Sequence, residues 1–102
     1  MNTVKIAVIQ IRTDLEQDVT LEKAGRMVRE AAENGAQIAV LPEMFNCPYS
    51  RHYFRPIAHL GHEKTVAAMS QWARDNSVLL VGGSIPETEG DNIYNTCFVF
   101  DE

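Results

Sequence analysis

The segment IAVLPEMFNCPYS (residues 38–50) contains side chains that can act as a base and as a nucleophile. Glu43 follows directly after a proline, and Cys47 stands four positions further along. A carboxylate can accept a proton from a reacting group, and a thiolate can attack an electrophilic carbon. We therefore take Glu43 as a candidate general base and Cys47 as a candidate nucleophile.

The neighbours of Glu43 suggest why its carboxylate could be reactive. Pro42 fixes its own φ angle and restricts the residue before it, so the side chain that follows is aimed rigidly. The residues after Glu43 predict an apolar and aromatic wall, made of Met44, Phe45, Tyr49, Tyr53 and Phe54. Loss of hydration disfavours the ionised form of a carboxylate and makes it a stronger base. The alternative is an ordinary acid in a surface turn or a helix cap.

Other potentially reactive groups give weaker indications of a functional site. His52, His59 and His62 are spaced by seven and three residues without a supporting acid, so we expect solvated loop histidines and no metal site. The sequence VGGS (residues 81–84) follows a predicted strand but has neither of the usual phosphate-loop spacings. We interpret Gly82 and Gly83 as room for a close approach of backbone, and a nucleotide-binding domain as an unsupported hypothesis.

Hydrophobic patterning predicts four strands and two helices. The strands are expected at residues 4–11, 37–41, 78–83 and 93–100, and the helices at 19–34 and 63–76. Asp18 is a plausible N-cap of the first helix, Asn34-Gly35 its stop, and Asp91-Asn92 a turn. Alternating strands and helices predict an α/β fold with a parallel sheet, whose functional residues lie at the carboxyl ends of the strands. Glu43 stands at such an end.

The strands also predict a missing layer. IAVL, VLLV and CFVF show no polar alternation, which is typical of strands buried on both faces. Crossovers of one hand place both helices on the same face, so the second face lacks a cover. We expect the cover to come from a longer polypeptide or from another copy of the chain in a homo-oligomer. Residues 98–102 stop where a turn should begin, which favours a fragment.

Length, charge and cysteine content limit the other classes of function that the chain could have. The chain has 102 residues, consistent with one domain, and nine basic against fourteen acidic residues give a net charge of −5. The charges are scattered, so we expect neither nucleic acid nor a membrane surface as a partner. No run of about 20 apolar residues or signal-peptide pattern is present. Two cysteines, Cys47 and Cys97, do not make a disulfide framework, so we expect reduced thiols in a cytoplasmic protein.

Several segments together resemble one known family. KIAVIQI, EAAENGAQIAVLPEMF, PYS, VGGSIPE and YNTCFVF, in this order and spacing, resemble the N-terminal part of the nitrilase superfamily, the carbon–nitrogen hydrolases. The resemblance implies that residues 1–102 are the N-terminal portion of a single hydrolase domain, the N-terminal half of an α-β-β-α sandwich. FNCPYS followed by YF is most similar to the omega-amidase branch, which hydrolyses amides of short dicarboxylates.

The resemblance implies a chemistry and its residues. Glu43 matches the general base of a Glu–Lys–Cys triad that hydrolyses a small amide through a thioester, with no metal or organic cofactor. Tyr49 and Phe45 are expected to bind substrate. Tyr49 is either a wall residue or a partner of the substrate's polar tail.

The chain also departs from the family pattern. None of Lys5, Lys23 and Lys64 stands in the family's lysine motif, and Cys47 does not follow a strand-to-helix elbow. We therefore interpret Cys47 as a small residue lining the pocket and Cys97 as a buried strand residue. The chain alone is expected to be inactive. The alternative hypothesis is a non-catalytic truncated module that self-associates through its uncovered sheet face.

Overall fold

The structure, a computed structural model, describes residues 3–101 and shows an α/β architecture. Its strands are β1 (Ile6–Val8), β2 (Ile38–Val40), β3 (Leu79–Val81), β4 (Ile85–Glu89), β5 (Asn92–Thr96) and β6 (Val99–Phe100). Its helices are α1 (Gln17–Glu33), α2 (Arg51–His59) and α3 (Glu63–Asn76). The predicted fold class is confirmed. The chain end at Glu102, where a turn is predicted to follow, lies outside the described residues.

The main sheet has the predicted parallel core. Its strand order is β1-β2-β3-β6, with β1, β2 and β3 parallel and β6 antiparallel to β3. β4 and β5 form a separate antiparallel hairpin. The prediction of four strands therefore accounts for the main sheet and misses the hairpin arrangement.

The C-terminal quarter differs most from the prediction. The single strand expected at 93–100 is two strands in different sheets, interrupted at residues 97–98. Cys97 lies at this interruption and is exposed, so the prediction of a buried strand residue is wrong. β4 was missed because Pro86 and its acidic neighbours give no strand signal. The pairing of β4 with β5 depends on the turn between them, where Gly90 has φ +62°. Asn92, which was expected in the turn, already belongs to β5.

The two predicted helices are present, with small differences at their ends. α3 has the predicted bounds. α1 begins before Asp18, and its N-cap is Glu16, so the predicted cap is wrong. Its C-terminus is as predicted: Asn34 is the C-cap, and Gly35 has φ +91°, a conformation that glycine adopts without steric cost.

α2 is a helix that the sequence did not predict. It carries His52 and His59, which are therefore helical and not loop histidines. Pro56 lies inside the helix, where it removes one backbone hydrogen bond. The helix is stabilised by its cap, since the Ser50 side chain accepts a hydrogen bond from the His52 N–H at 3.3 Å, and by packing against β4 and β5.

The helices α1 and α3 cover one face of the main sheet. Val28, Met69 and Leu80 are fully buried between these layers. The helices contact each other closely at Gly25, where an added Cβ would lie 2.7 Å from Nε1 of Trp72. Trp72 therefore packs helix against helix. Within residues 3–101, no helix combines the length and the apolar character needed to cross a bilayer.

The other face of the main sheet is uncovered, as the strand composition predicts. We call it the open face; the strand registers place on it Ile6, Val8, Ile38, Val40, Leu79, Val81 and Val99. The exposed fraction is 75% for Val8, 59% for Val99 and 55% for Ile6. α2 does not cover this face, because it packs against the hairpin instead.

Candidate active site

Glu43 lies where the parallel strands end. The Leu41 N–H still bonds the Val81 carbonyl of β3 at 2.9 Å, and Pro42, which has no N–H, ends this pairing. Glu43 therefore begins the loop at the carboxyl ends of β2 and β3, the edge at which α/β proteins bind ligands.

The loop that carries Glu43 is held by Ser84, the last residue of the VGGS segment. The Met44 N–H donates to Ser84 Oγ at 2.9 Å, and the Phe45 N–H donates to the Ser84 carbonyl at 3.1 Å. The Ser84 N–H in turn donates to the Pro42 carbonyl at 3.3 Å. These bonds fix the loop on both sides of Glu43. No local sequence pattern indicates this role of Ser84, because its partners lie about forty residues away in the chain.

Gly83 allows this contact between two loops. An added Cβ would lie 2.0 Å from the Pro42 carbonyl oxygen and 2.6 Å from that of Leu41, and the residue has φ +58°. At Gly82, an added Cβ would lie 2.6 Å from the Met69 sulfur and 2.8 Å from the Phe98 carbonyl oxygen. The prediction that these glycines provide room for close backbone approach is confirmed.

The residue after Glu43 has an unfavourable backbone conformation. Met44 has φ +51°, in the left-handed region that non-glycine residues rarely adopt. Such a conformation costs about 1–3 kcal/mol, and it persists where the surrounding structure imposes it. The bond from Met44 to Ser84 supplies that constraint and turns the chain sharply after Glu43.

Both oxygens of the Glu43 carboxylate accept hydrogen bonds. Asn95 of β5 donates from Nδ2 to Oε2 at 2.7 Å, and the Tyr49 hydroxyl donates to Oε1 at 3.2 Å. Two donors suit an ionised carboxylate, which only accepts. Asn95 and Glu43 are thus in direct contact although they lie 52 residues apart in the chain. The hairpin, which sequence analysis did not predict, brings Asn95 to this position.

The predicted aromatic wall does not enclose Glu43 within the described residues. Glu43 is exposed and Tyr49 is 72% exposed, so the expectation that this part of the chain desolvates the carboxylate is wrong. Phe45 is fully buried in the hydrophobic core, because the turn at Met44 directs it towards the sheet and helices. In this structure Phe45 anchors the Glu43 loop to the hydrophobic core, and its side chain is not exposed to solvent.

An open cavity of about 350 Å³ adjoins Glu43. Met44, the next residue in the chain, and Asn95, which bonds the Glu43 carboxylate, both line it. The remaining lining comes from α2 and β5. The volume lies within the range of small-molecule sites.

Cys47 is fully buried, and its burial raises the pKa of the thiol to about 11. The reactive form of cysteine is the thiolate, so a thiol with this pKa is neutral and inert near neutral pH. Within the described residues, Cys47 therefore fills space beneath the loop.

The histidines do not assemble a metal site. Among residues 3–101, no group of three or more His, Cys, Asp or Glu side chains is placed to hold a metal ion. His62 is the N-cap residue of α3, and its Nδ1 lies 3.1 Å from Oε2 of Glu87 in the hairpin. Its ring stacks on Phe98, with centroids 5.9 Å apart. His62 thus links α3 to the hairpin that carries Asn95.

The contact between Glu43 and Tyr49 can be measured by titration. The negative charge of Glu43 and its hydrogen bond raise the pKa of Tyr49 above its usual value of about 10. We expect Glu43→Gln to remove the charge and shift the Tyr49 titration to lower pH, as followed by NMR of labelled tyrosines. An unchanged Tyr49 titration in the variant would contradict the contact.

Comparison with known proteins agrees with this geometry. The model of the family described as carbon-nitrogen hydrolase matches residues 5–102. This chain belongs to the carbon–nitrogen hydrolase family. The omega-amidase NIT2 of Mus musculus is 41% identical over 100 residues, which are 98% of this chain and 36% of that protein. The corresponding protein of Danio rerio is 39% identical over the same shares.

Solved structures of carbon–nitrogen hydrolases show the same fold. Nit3 of Saccharomyces cerevisiae, a member of branch 10 of the nitrilase superfamily, superposes with a TM-score of 0.88 at 31% identity, over 97% of this chain and 40% of that one. The nitrilase-like fold is therefore confirmed. The chain spans about 36% of the length of the curated relatives it matches.

Proposed function

We propose that this chain provides the general base of a hydrolase that acts on small amides, with an omega-amidase-like substrate class. The observation that supports it most directly is the fixed Glu43 carboxylate beside an open cavity at the carboxyl ends of β2 and β3. The similarity to omega-amidases over almost the whole chain favours the same class of reaction.

In the proposed reaction, Glu43 takes the proton of a cysteine thiol, and the thiolate attacks the amide carbon. A lysine stabilises the negative oxygen of the tetrahedral intermediate. The protonated Glu43 gives its proton to the amide nitrogen as the C–N bond breaks, so ammonia leaves, a thioester remains and the carboxylate is restored. Glu43 then takes a proton from a water molecule, which attacks the thioester, and returns it to the departing sulfur, so that the acid and the thiol are released. Asn95 and Tyr49 hold the carboxylate in position during these proton transfers.

The cysteine and the lysine are proposed to come from polypeptide outside these 102 residues. Cys47 is a poor candidate because its thiol is buried and neutral. In one structure of a glutamate-to-glutamine mutant of the amidase from Nesterenkonia sp. AN1, 26% identical to this chain, acrylamide has undergone Michael addition at the active-site cysteine.

The same additional polypeptide is proposed to supply the layer over the open face, which completes the α-β-β-α sandwich. Homo-oligomer formation and a cytoplasmic location stay predictions. The alternative of a non-catalytic module that self-associates has no support in the comparisons.

Ammonia release tests the proposal. We expect the product of the intact gene to hydrolyse succinamate or glutaramate, and the isolated 102-residue chain to release no ammonia from either. The isolated chain lacks the nucleophile and the oxyanion donor, which explains the expected difference. Hydrolysis by the isolated chain, or none by a folded product of the intact gene, would contradict the proposal.

A further inference from the structure

We propose that Arg51 and Arg55 bind the free carboxylate of the substrate and thereby select amides that carry one. This inference rests on the proposed function, and it names the residues that would set its substrate class. Both arginines belong to α2 and line the cavity beside Glu43.

The two guanidinium groups share one side of the helix. Arg51 and Arg55 are four residues apart, a spacing that brings side chains together on a helix surface. Like charges at this spacing repel each other, so an anion placed between them would remove an unfavourable interaction. Two guanidinium groups can hold a carboxylate through several charge-assisted hydrogen bonds.

Neither arginine has an acidic partner. The ion pairs within residues 3–101 are His62 with Glu87 and Lys64 with Asp18, so Arg51 and Arg55 remain unpaired in this part of the chain. The chain has fourteen acidic residues and a net charge of −5. What distinguishes Arg51 and Arg55 is their place, since both unpaired cations line the same concave site.

The rest of the cavity suits an aliphatic ligand body. Met44, Phe54 and Ile93 provide apolar surface in the same cavity as the arginines. Asn95 lines the cavity and also bonds the Glu43 carboxylate, so the cavity lies next to the residue that holds the proposed base. A short chain with an anion at one end could bind the arginines and place its other end near Glu43.

A monoamide of a short dicarboxylate has this chemistry. Its amide would lie at the Glu43 end, and its carboxylate would lie at the arginine end. A neutral amide of equal length would fill the same apolar region and leave both cations without a partner. Sites that hold a polar group discriminate against ligands lacking it.

The test compares an acidic and a neutral substrate in the product of the intact gene. We expect Arg51→Gln with Arg55→Gln to lower kcat/KM for succinamate about 10–100-fold relative to butyramide, mainly through KM, as expected for lost charged hydrogen bonds. Arg51→Lys with Arg55→Lys keeps the charges and should restore part of the preference. Arg26→Gln with Arg29→Gln, exposed on α1, is the matched control and should change neither substrate.

Equilibrium binding separates this inference from the proposed function. We expect glutarate, which cannot react, to bind the unmodified protein and to bind the double glutamine variant at least 10-fold more weakly. If no amide is hydrolysed and this difference in glutarate binding is found, the proposed function fails, and Arg51 and Arg55 remain a carboxylate-binding site. If succinamate is hydrolysed but the arginine variants change neither its preference over butyramide nor glutarate binding, the inference is overturned and the proposed function stands.

Discussion

Glu43→Gln should lower the rate of amide hydrolysis by the product of the intact gene about 10²–10⁴-fold, the range typical of general acid–base catalysis. The substitution keeps the shape of the side chain but replaces the accepting carboxylate with an amide that cannot take a proton. The loss should appear in kcat, measured as ammonia release at saturating substrate. The fold should persist, because Glu43 is exposed and outside the hydrophobic core.

A matched control makes the result specific. Glu33→Gln changes a similarly exposed acid at the end of α1, on an element that does not contribute to the cavity, and should leave the rate unchanged. Unaltered activity in Glu43→Gln would eliminate Glu43 as the base. Equal losses in both variants would point to a general effect of charge.

Gly83→Ala should destabilise the protein by about 2–5 kcal/mol. A left-handed conformation costs a non-glycine residue roughly 1–2 kcal/mol, and forcing an atom into a filled space adds about 1–3 kcal/mol. The new Cβ would meet the backbone of Leu41 and Pro42 at 2.0–2.8 Å, and backbone here cannot move without moving the loop that carries Glu43. Urea unfolding measures the change in free energy.

Gly90→Ala separates the cost of the left-handed conformation from the cost of the steric clash. Gly90 also has a left-handed conformation, φ +62°, but an added Cβ would meet nothing within 4 Å. We expect this variant to lose only the conformational part, about 1–2 kcal/mol. Equal losses at the two positions would show that the contact between the loops does not explain the need for Gly83.

The contrast between α3 and α2 shows where sequence information ends. α3 was predicted to its exact bounds because Val66, Met69 and Ala73 repeat at helical spacing on a buried stripe. α2 also has an apolar stripe, Phe54, Ile57 and Ala58, but it is only nine residues long and contains Pro56, which weakens the helical signal of its local pattern. Its formation depends on the Ser50 cap and on packing against the hairpin, and only the second of these joins distant parts of the chain.

The candidate active site shows the same division between features set by local sequence and features set by distant contacts. Pro42 and Glu43 follow a buried strand directly in the chain, so their place at the strand end could be predicted from local order. The partners Ser84 and Asn95 lie about forty and fifty residues away, and nothing in their own neighbourhoods indicates what they bind. The solvent exposure of Glu43 also depends on which distant segments cover it.

The amino-acid sequence alone determined the α/β class, the parallel order of β1, β2 and β3, the position of Glu43 and the apolar character of the open face. These features follow from hydrophobic periodicity and chain order, which are local properties. Only the tertiary structure decided that Ser84 and Asn95 hold the loop and the carboxylate, that Phe45 enters the core, and that two arginines line the cavity. Those features depend on contacts between segments far apart in the chain, and their geometry is set by packing that no short stretch of sequence encodes.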